Sequence, residues 1–457
     1  MFRFLVVCIV VLVAGQMVYA ADEPADLPTR EDVEAALFDT ISAFHALSVQ
    51  GGHANSYSAD LKTRYDGSHL EYGPISAPDQ IEMEPPATPW IGRAILRAYR
   101  ATGEERYLRM AGEIADALAK VQAESSGWPA RARLGGARAK TSDMDDNRSQ
   151  SCVLFLVELA AEEAPPGHRE VMERGLDFLL KAQYPSGGWP QRYPPPEDQD
   201  DYRRYHTLND ATIPDCMRTL LAAYHVLGEQ RYLDAVLRAA DWLVAVQLPE
   251  PQAGWAQQYY DDFVTGPLIP NGPAPGRWFE PTAVAALETV AVVDILVEVW
   301  LESGDQRYTT AMAKAGRWLD ASRLPDGRWA RLYELCTNRP LYCTPDRVIT
   351  YSDQNLRPGY GWKGNWGASD AIRLAPQVRK LGHKAVLAQR NARPTANRVR
   401  ELGTKARAII DSLEDRGLWV GEGFHSNQRE QRIWSGLFCD NVAHLCAYLE
   451  GLKARER

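Results

Sequence analysis

Apolar residues return every three or four positions through the middle of the chain, the period of a helix with one buried face. Four long stretches show it: "TPWIGRAILRAYRATGEERYLRMAGEIADALAKVQ", "CVLFLVELAAEEAPPGHREVMERGLDFLLKAQ", "IPDCMRTLLAAYHVLGEQRYLDAVLRAADWLVAVQ" and "VAALETVAVVDILVEVWLESGDQRYTTAMAKAGRWLDASRL". Each breaks once near its middle, at Gly103, at Pro165 to Gly167, at Gly228 and at Gly304, so each predicts a pair of helices. Runs with the two-residue alternation of a half-buried strand are scarce.

Each pair ends in a similar turn: "SSGWPAR", "SGGWPQR", "QAGWAQQ" and "DGRWARL". Their tryptophans, Trp128, Trp189, Trp255 and Trp329, recur 61, 66 and 74 residues apart, with a weaker echo at Trp419. A hairpin repeated at this period cannot bury its apolar face alone and must pack against its neighbours. About six such hairpins closing a ring predict an all-α fold, an (α/α) toroid or barrel whose turns gather at one end and form a groove there.

Composition adds boundaries. The first twenty residues, "MFRFLVVCIVVLVAGQMVYA", have an early Arg3, an apolar run and small residues before Ala20. That is the layout of a secretory signal, and the run is too short to favour a spanning helix. The expected organisation is a signal over 1–20, a short N-terminal segment over 21–30, a toroid over 31–375, and a helical region over 376–457 packed on the toroid or closing it. The expected product is exported, monomeric and free of the membrane after cleavage. A net charge of −9 argues against general nucleic-acid binding. It leaves room for an anionic sugar held by a local cluster of arginines. The six cysteines after the signal form no CxxC pair; Cys336 and Cys343 bracket one loop and either pair there or stay free.

The chemistry concentrates in the turns. "DMDDN", ending at Asn147, sets Asp145 and Asp146 before a helix. Such carboxylates suit a hard cation, which takes oxygen ligands. They equally suit an acidic helix cap. The motif also has the DxDD form of a class II terpene cyclase acid, and Gln183, Gly187 and Trp189 have the spacing of that family's Gln-Trp repeat. "HTLNDATIPD" places Asn209 and Asp210 before the next inner helix, with the same two readings. "GRWFEPTAV" carries Arg277 and Glu280 ahead of a helix whose first turn would hold Pro281. "WARLYELCTNRPLY" carries Arg331, Tyr333, Asn338 and Arg339. Guanidinium forks among aromatics suit carboxylate recognition. "GYGWKG" fits GxGxxG, but no strand precedes it, so a nucleotide loop is not expected.

Together these segments resemble the family 10 pectate lyases (pectic acid lyases). "AQYPSGGWPQRYP", ending at Pro194, is close to that family's "AQYPNGGWPQ.YP". In the same order come "GGHANSYSADL", "MDDN", "TLNDAT", "GRWFEP", "WARLYELCTNRPLY" and "GYGWKGNW". The resemblance spans roughly residues 30 to 370. It implies a groove for polygalacturonate and Ca²⁺-assisted β-elimination. It implies Asp146 and Asp210 as carboxylates at the calcium, with Asp145 and Asn209 beside them. Arg277 is implied as the base and Arg331 as a carboxylate-binding residue. The aromatic and polar positions Trp189, Gln191, Arg192, Tyr193, Tyr333, Asn338, Arg339 and Glu280 are then expected to line the groove.

One stretch departs from the resemblance. After "TNRPLY" the family has an arginine in a "GRDG" turn; here "CTPDR" puts Pro345 at that place and Arg347 two residues later. Two alternatives therefore stand beside the lyase: another toroid enzyme acting on uronic acid sugars, of the unsaturated glucuronyl hydrolase type, and a catalytically weakened pectin-binding protein.

Overall fold

The structure, a computed structural model, describes residues 27–67, 74–75, 77–162, 166–261, 271–390, 392–423 and 430–456. The expected signal over 1–20 lies outside them. No helix among the described residues is long and apolar enough to cross a membrane.

Helices dominate. After α1 (Arg30–His45) come the pairs α2 (Thr88–Thr102) and α3 (Glu105–Val121), α4 (Arg148–Ala160) and α5 (Pro166–Ala182), α6 (Thr212–Leu227) and α7 (Gln230–Val246), and α8 (Ala286–Ser303) and α9 (Gln306–Ala321). Then follow α10 (Ala368–Leu381), α11 (His383–Arg390), α12 (Ala396–Asp411) and α13 (Ser435–Glu456). The first member of each pair packs on the first member of the next, α2 on α4, α4 on α6, α6 on α8, and α8 on α10. The second members lie outside them, and α13 returns to pack on α2. This is the two-layered arrangement of an α/α toroid, with the apolar core between its layers. Inner helices are apolar on more sides than one. In α8 twelve of eighteen residues are buried, which leaves little polar face.

Sequence explains the turns at both ends. Where an inner helix passes to its outer partner, Gly103, Gly228 and Gly304 take φ of +83°, +73° and +71° and donate their N–H to Tyr99, Tyr224 and Trp300. Side chains other than glycine are strained there. At the other end the repeated tryptophans are struts. The indole Nε1 of Trp128, Trp189, Trp329 and Trp419 donates to the carbonyl ten residues earlier, at Leu118, Leu179, Leu319 and Ile409; Trp255 reaches Leu243. Each satisfies a carbonyl that the end of an outer helix leaves orphaned. A glutamine works beside it. Gln122, Gln183 and Gln247 each donate from Nε2 to their own turn, at Ser126, Gly187 and Ala253, and to the next outer helix, at Val171, Ala235 and Ala311.

The turns carry short strands that stiffen the groove end. Ala283–Ala285 pairs antiparallel with both Leu332–Glu334 and Trp255–Ala256, and Pro340–Cys343 extends this sheet. The strand over 283–285 corrects one expectation: the helix begins at Ala286, so Pro281 precedes a strand rather than filling a first helical turn. Ser56–Ser58 pairs with Arg432–Trp434, joining the early chain to its last helix. Cys336 and Cys343 are both free thiols, one exposed and one buried.

Candidate active site

Two turns of identical backbone shape stand at the heads of α4 and α6. In Asp145–Asn147, Asp146 has φ 48° and ψ 34°, and Asn147 has φ 60° and ψ 27°. In Asn209–Ala211, Asp210 has φ 48° and ψ 35°, and Ala211 has φ 60° and ψ 23°. Successive left-handed residues without glycine are strained, and such strain persists only where the surroundings impose it. The surroundings match too. Met144 N–H donates to the Gln191 carbonyl at 2.9 Å, and Leu208 N–H to the Gln257 carbonyl at 2.8 Å. Neither Asn147 nor Ala211 makes a side-chain cap bond, so the turns are not the helix caps that composition alone would allow.

The twin turns bring three acids together. Asp145, Asp146 and Asp210 can each place one carboxylate oxygen so that all three lie within 4.8 Å of one another. Burial, then the charges of Asp146 and Asp210, push Asp145 up to about 8. Its Oδ1 is buried with no hydrogen-bond partner among the described residues. Two arginines offset the rest. Arg148 reaches Asp143 at 2.7 Å, Glu84 at 2.7 Å and Asp146 at 3.0 Å. Arg331 donates through Nη2 to Asp210 at 3.0 Å, Glu288 at 2.9 Å and Asn209 at 3.0 Å. Glu288 is fully buried, and its other oxygen is unpartnered. Carboxylates outnumber guanidiniums here, and an oxygen ligand is left idle; this donor set fits a hard cation such as Ca²⁺, with remaining positions for substrate or water.

Arg277 and Arg331 both lie over the ring of Tyr360. The two guanidiniums lie 5.6 and 4.8 Å from that ring's centroid. Glu280 grips Arg277 through Nε at 2.8 Å, Nη2 at 2.6 Å and the backbone N–H at 2.9 Å. Tyr360 Oη donates to the same carboxylate at 2.9 Å. Burial works to lower the Arg277 guanidinium, but the Glu280 contacts prevail and hold it above its ordinary range.

The other expected site residues divide. Gln191 is buried and acts through its backbone carbonyl under the first turn. Arg192 and Tyr193 are half-buried in a short strand paired with Ser142–Asp143, next to the acid turn. Trp189 and Tyr333 are corrections. Trp189 is wholly buried as a strut, and Tyr333 is buried with its hydroxyl donating to Ser322 O, so neither offers a face to a ligand. Asn338 bonds Trp318, Gln252 and Ser322 instead of facing the acids. Arg339 stacks on Tyr351. Sequence reasoning passed over Arg148, Glu288, Gln257 and Tyr360. Tyr360 lies inside "GYGWKG", whose strand at Lys363–Gly364 pairs with Trp329–Ala330.

Residues 130–225, which contain both acid turns, match the family model described as pectic acid lyase. No curated protein matches the chain. Among solved structures, a family 10 polysaccharide lyase from Cellvibrio cellulosa is 20% identical, with a TM-score of 0.51, over 64% of this chain and 97% of its own. A mutant of that enzyme in complex with trigalacturonic acid matches with a TM-score of 0.50 and 20% identity, over 63% and 98%. A D-mannose isomerase shares the fold over 94% of this chain and 100% of its own, with a TM-score of 0.52 and 13% identity. Over residues 130–225, the segment that carries both acid turns, the chain is similar to pectic acid lyases, and its helices are laid out in the two layers of an α/α toroid.

Proposed function

We propose that the protein is an exported pectate lyase that cleaves polygalacturonate by calcium-assisted β-elimination, leaving an unsaturated sugar at the new end. The observation that carries this is the meeting of Asp146 and Asp210, delivered by twin strained turns, beside Arg331 and Arg277. Asp145, Asp146 and Asp210 would hold the ion, with Asn209 aligned beside them. Bound there, Ca²⁺ supplies neutralisation of the substrate carboxylate, which lowers the cost of negative charge developing at the adjacent carbon. Arg331, kept charged by Glu288 and Asp210, orients that carboxylate.

Arg277 takes the C5 proton. The electrons form the C4–C5 double bond, and the C4–O bond breaks, its oxygen leaving to be protonated by solvent. A guanidinium is an unfavourable base, and Glu280 makes it more so in the resting arrangement. The role therefore requires the Glu280 grip to loosen and Arg277 to lose a proton, and activity should climb into the alkaline range. Glu280 and Tyr360 are positioning residues for Arg277. The lyase-like toroid is assigned to 31–375, completed by 376–457, with export directed by 1–20.

The test is polygalacturonate cleavage followed by the ultraviolet absorbance of the unsaturated product. It is run with Ca²⁺ and with EDTA, for the wild type and Arg277→Ala. Absorbance that needs both Ca²⁺ and Arg277 supports the reading. Folded protein that retains polygalacturonate without producing absorbance would leave a pectin-binding protein instead.

A further inference from the structure

The largest sheet of the groove end has an open side. Its strands run in the order Ile349–Thr350, Pro340–Cys343, Leu332–Glu334, Ala283–Ala285, Trp255–Ala256, so Ile349–Thr350 is an edge with no strand beyond it among the described residues. Val348 turns its backbone groups inward: its N–H donates to Thr344 Oγ1 at 3.2 Å, and its carbonyl accepts from Thr344 N–H at 3.0 Å. The alternation of a strand then turns those of Ile349 and Tyr351 outward. Sheet edges are commonly guarded by lysine, proline or a bulge. "VITYS", Val348 to Ser352, has no charge and no proline. It is apolar instead. Val348 is 56% exposed, Ile349 39% and Tyr351 41%, and Trp278, whose ring centroid lies 5.0 Å from the Arg347 guanidinium, is 50% exposed. Elsewhere among the described residues only Phe38 and Leu61 are large apolar side chains of comparable exposure.

The hairpin holds this shape by itself. Arg347 N–H closes its turn on Thr344 O at 3.1 Å, Tyr351 Oη donates to Glu334 at 2.6 Å, and Arg339 stacks on the Tyr351 ring. An edge shaped in advance loses little entropy when a strand pairs with it. Charge then selects the partner. A second copy laid antiparallel must match outward residues with outward residues. A two-fold axis at Thr350 pairs Ile349 with Tyr351 and sets Arg347 opposite Asp353. An axis at Ile349 would set Arg347 against Tyr351, and one at Tyr351 would set it against Asn355. Arg347 forms no ion pair among the described residues, and Asp353 stays exposed although Lys363 holds one of its oxygens. Opposite charges facing across an antiparallel pair stabilise it. We propose that two copies of this chain join edge to edge through Ile349–Tyr351, about a two-fold axis at Thr350. The sheet of one copy then continues into that of the other, where the sequence led to the expectation of a monomer.

This pairing does not depend on the lyase reading, and it is tested without substrate. Sedimentation equilibrium over a concentration series reads the mass of the wild type, Ile349→Lys, Arg347→Asp, Asp353→Arg and the double variant Arg347→Asp/Asp353→Arg. All are checked for fold by near-ultraviolet circular dichroism. The wild type should reach twice the mass of one chain. Ile349→Lys and each single reversal should weaken association about tenfold, and the double reversal should recover most of that loss. Register is read by cross-linking with the exposed Cys336 replaced by serine. Thr350→Cys should then link to its own copy on mild oxidation, because residues facing each other in a non-hydrogen-bonded pair bring their Cα atoms to about 4.5 Å, within reach of a disulfide. Ile349→Cys, which would face Tyr351, should not. A wild type that stays single at every concentration overturns the proposal and leaves the edge to a partner of another kind. Association that ignores the charge reversals and leaves Thr350→Cys unlinked overturns it as well.

Discussion

At the scale of single residues, the acid turns carry strain that a substitution can release. Ala211 is an alanine held left-handed, at about 1–2 kcal/mol by the sterics of its Cβ. Ala211→Gly should therefore raise stability by about 1 kcal/mol after the added unfolded-state freedom is subtracted, read as a higher denaturant midpoint. Asp146→Asn and Asp210→Asn should leave the fold intact and weaken calcium binding by calorimetry more than tenfold, since each removes a charged ligand. Glu82 gives a pH test. It is buried, which raises it to about 7 against a partial offset from the Gln80 hydrogen bond. Its folded value lies above its unfolded one, so its contribution is complete below about 4.5 and is lost as pH rises through about 7. Glu82→Gln should thus be more stable than wild type at pH 8 and no more stable at pH 4, by denaturant melts. Asp145, Asp146, Asp210, Arg277 and Arg331 were legible because their motifs are short and local, whereas Arg148 and Glu288 sit in helices with no local sign of what they reach. Trp189 misled because an aromatic in a Gly-Pro turn looks the same in sequence whether it faces a ligand or a helix end.

At the scale of elements, the repeat is a joint made of one tryptophan and one glutamine. Gln122→Leu should cost about 2–3 kcal/mol, because it strands the carbonyls of Ser126 and Val171 and the Nε of Arg174. Chemical denaturation would show it as a lower midpoint with unchanged slope. This joint was half legible. The period of the tryptophans announced hairpins, and helix-length apolar periodicity announced their type. The glutamine's second bond, to the following outer helix, depends on how hairpins stack and leaves no local trace. The short strands were illegible for a different reason: at two to four residues they are too brief to display an alternation.

For the whole molecule, the region after residue 375 bears no resemblance in sequence, yet its last helix is built into the ring. Helix α13 lies on α2, Ser435 Oγ donates to Ala54 O, and Arg97 pairs with Glu450. A chain cut after Arg390 would expose the apolar side of α2 and should be recovered insoluble, or soluble without cooperative melting in circular dichroism. Asp146 and Asp210 stand on successive hairpins. An ion gripped by both would be a removable cross-link between parts of the chain that are distant in sequence, binding the folded form and not the unfolded one. Calcium should then raise the melting temperature, and chelation should speed amide exchange along the α4–α6 seam before it is felt elsewhere. If the proposed function holds, the supply of calcium would set how long the protein lasts as well as how fast it works.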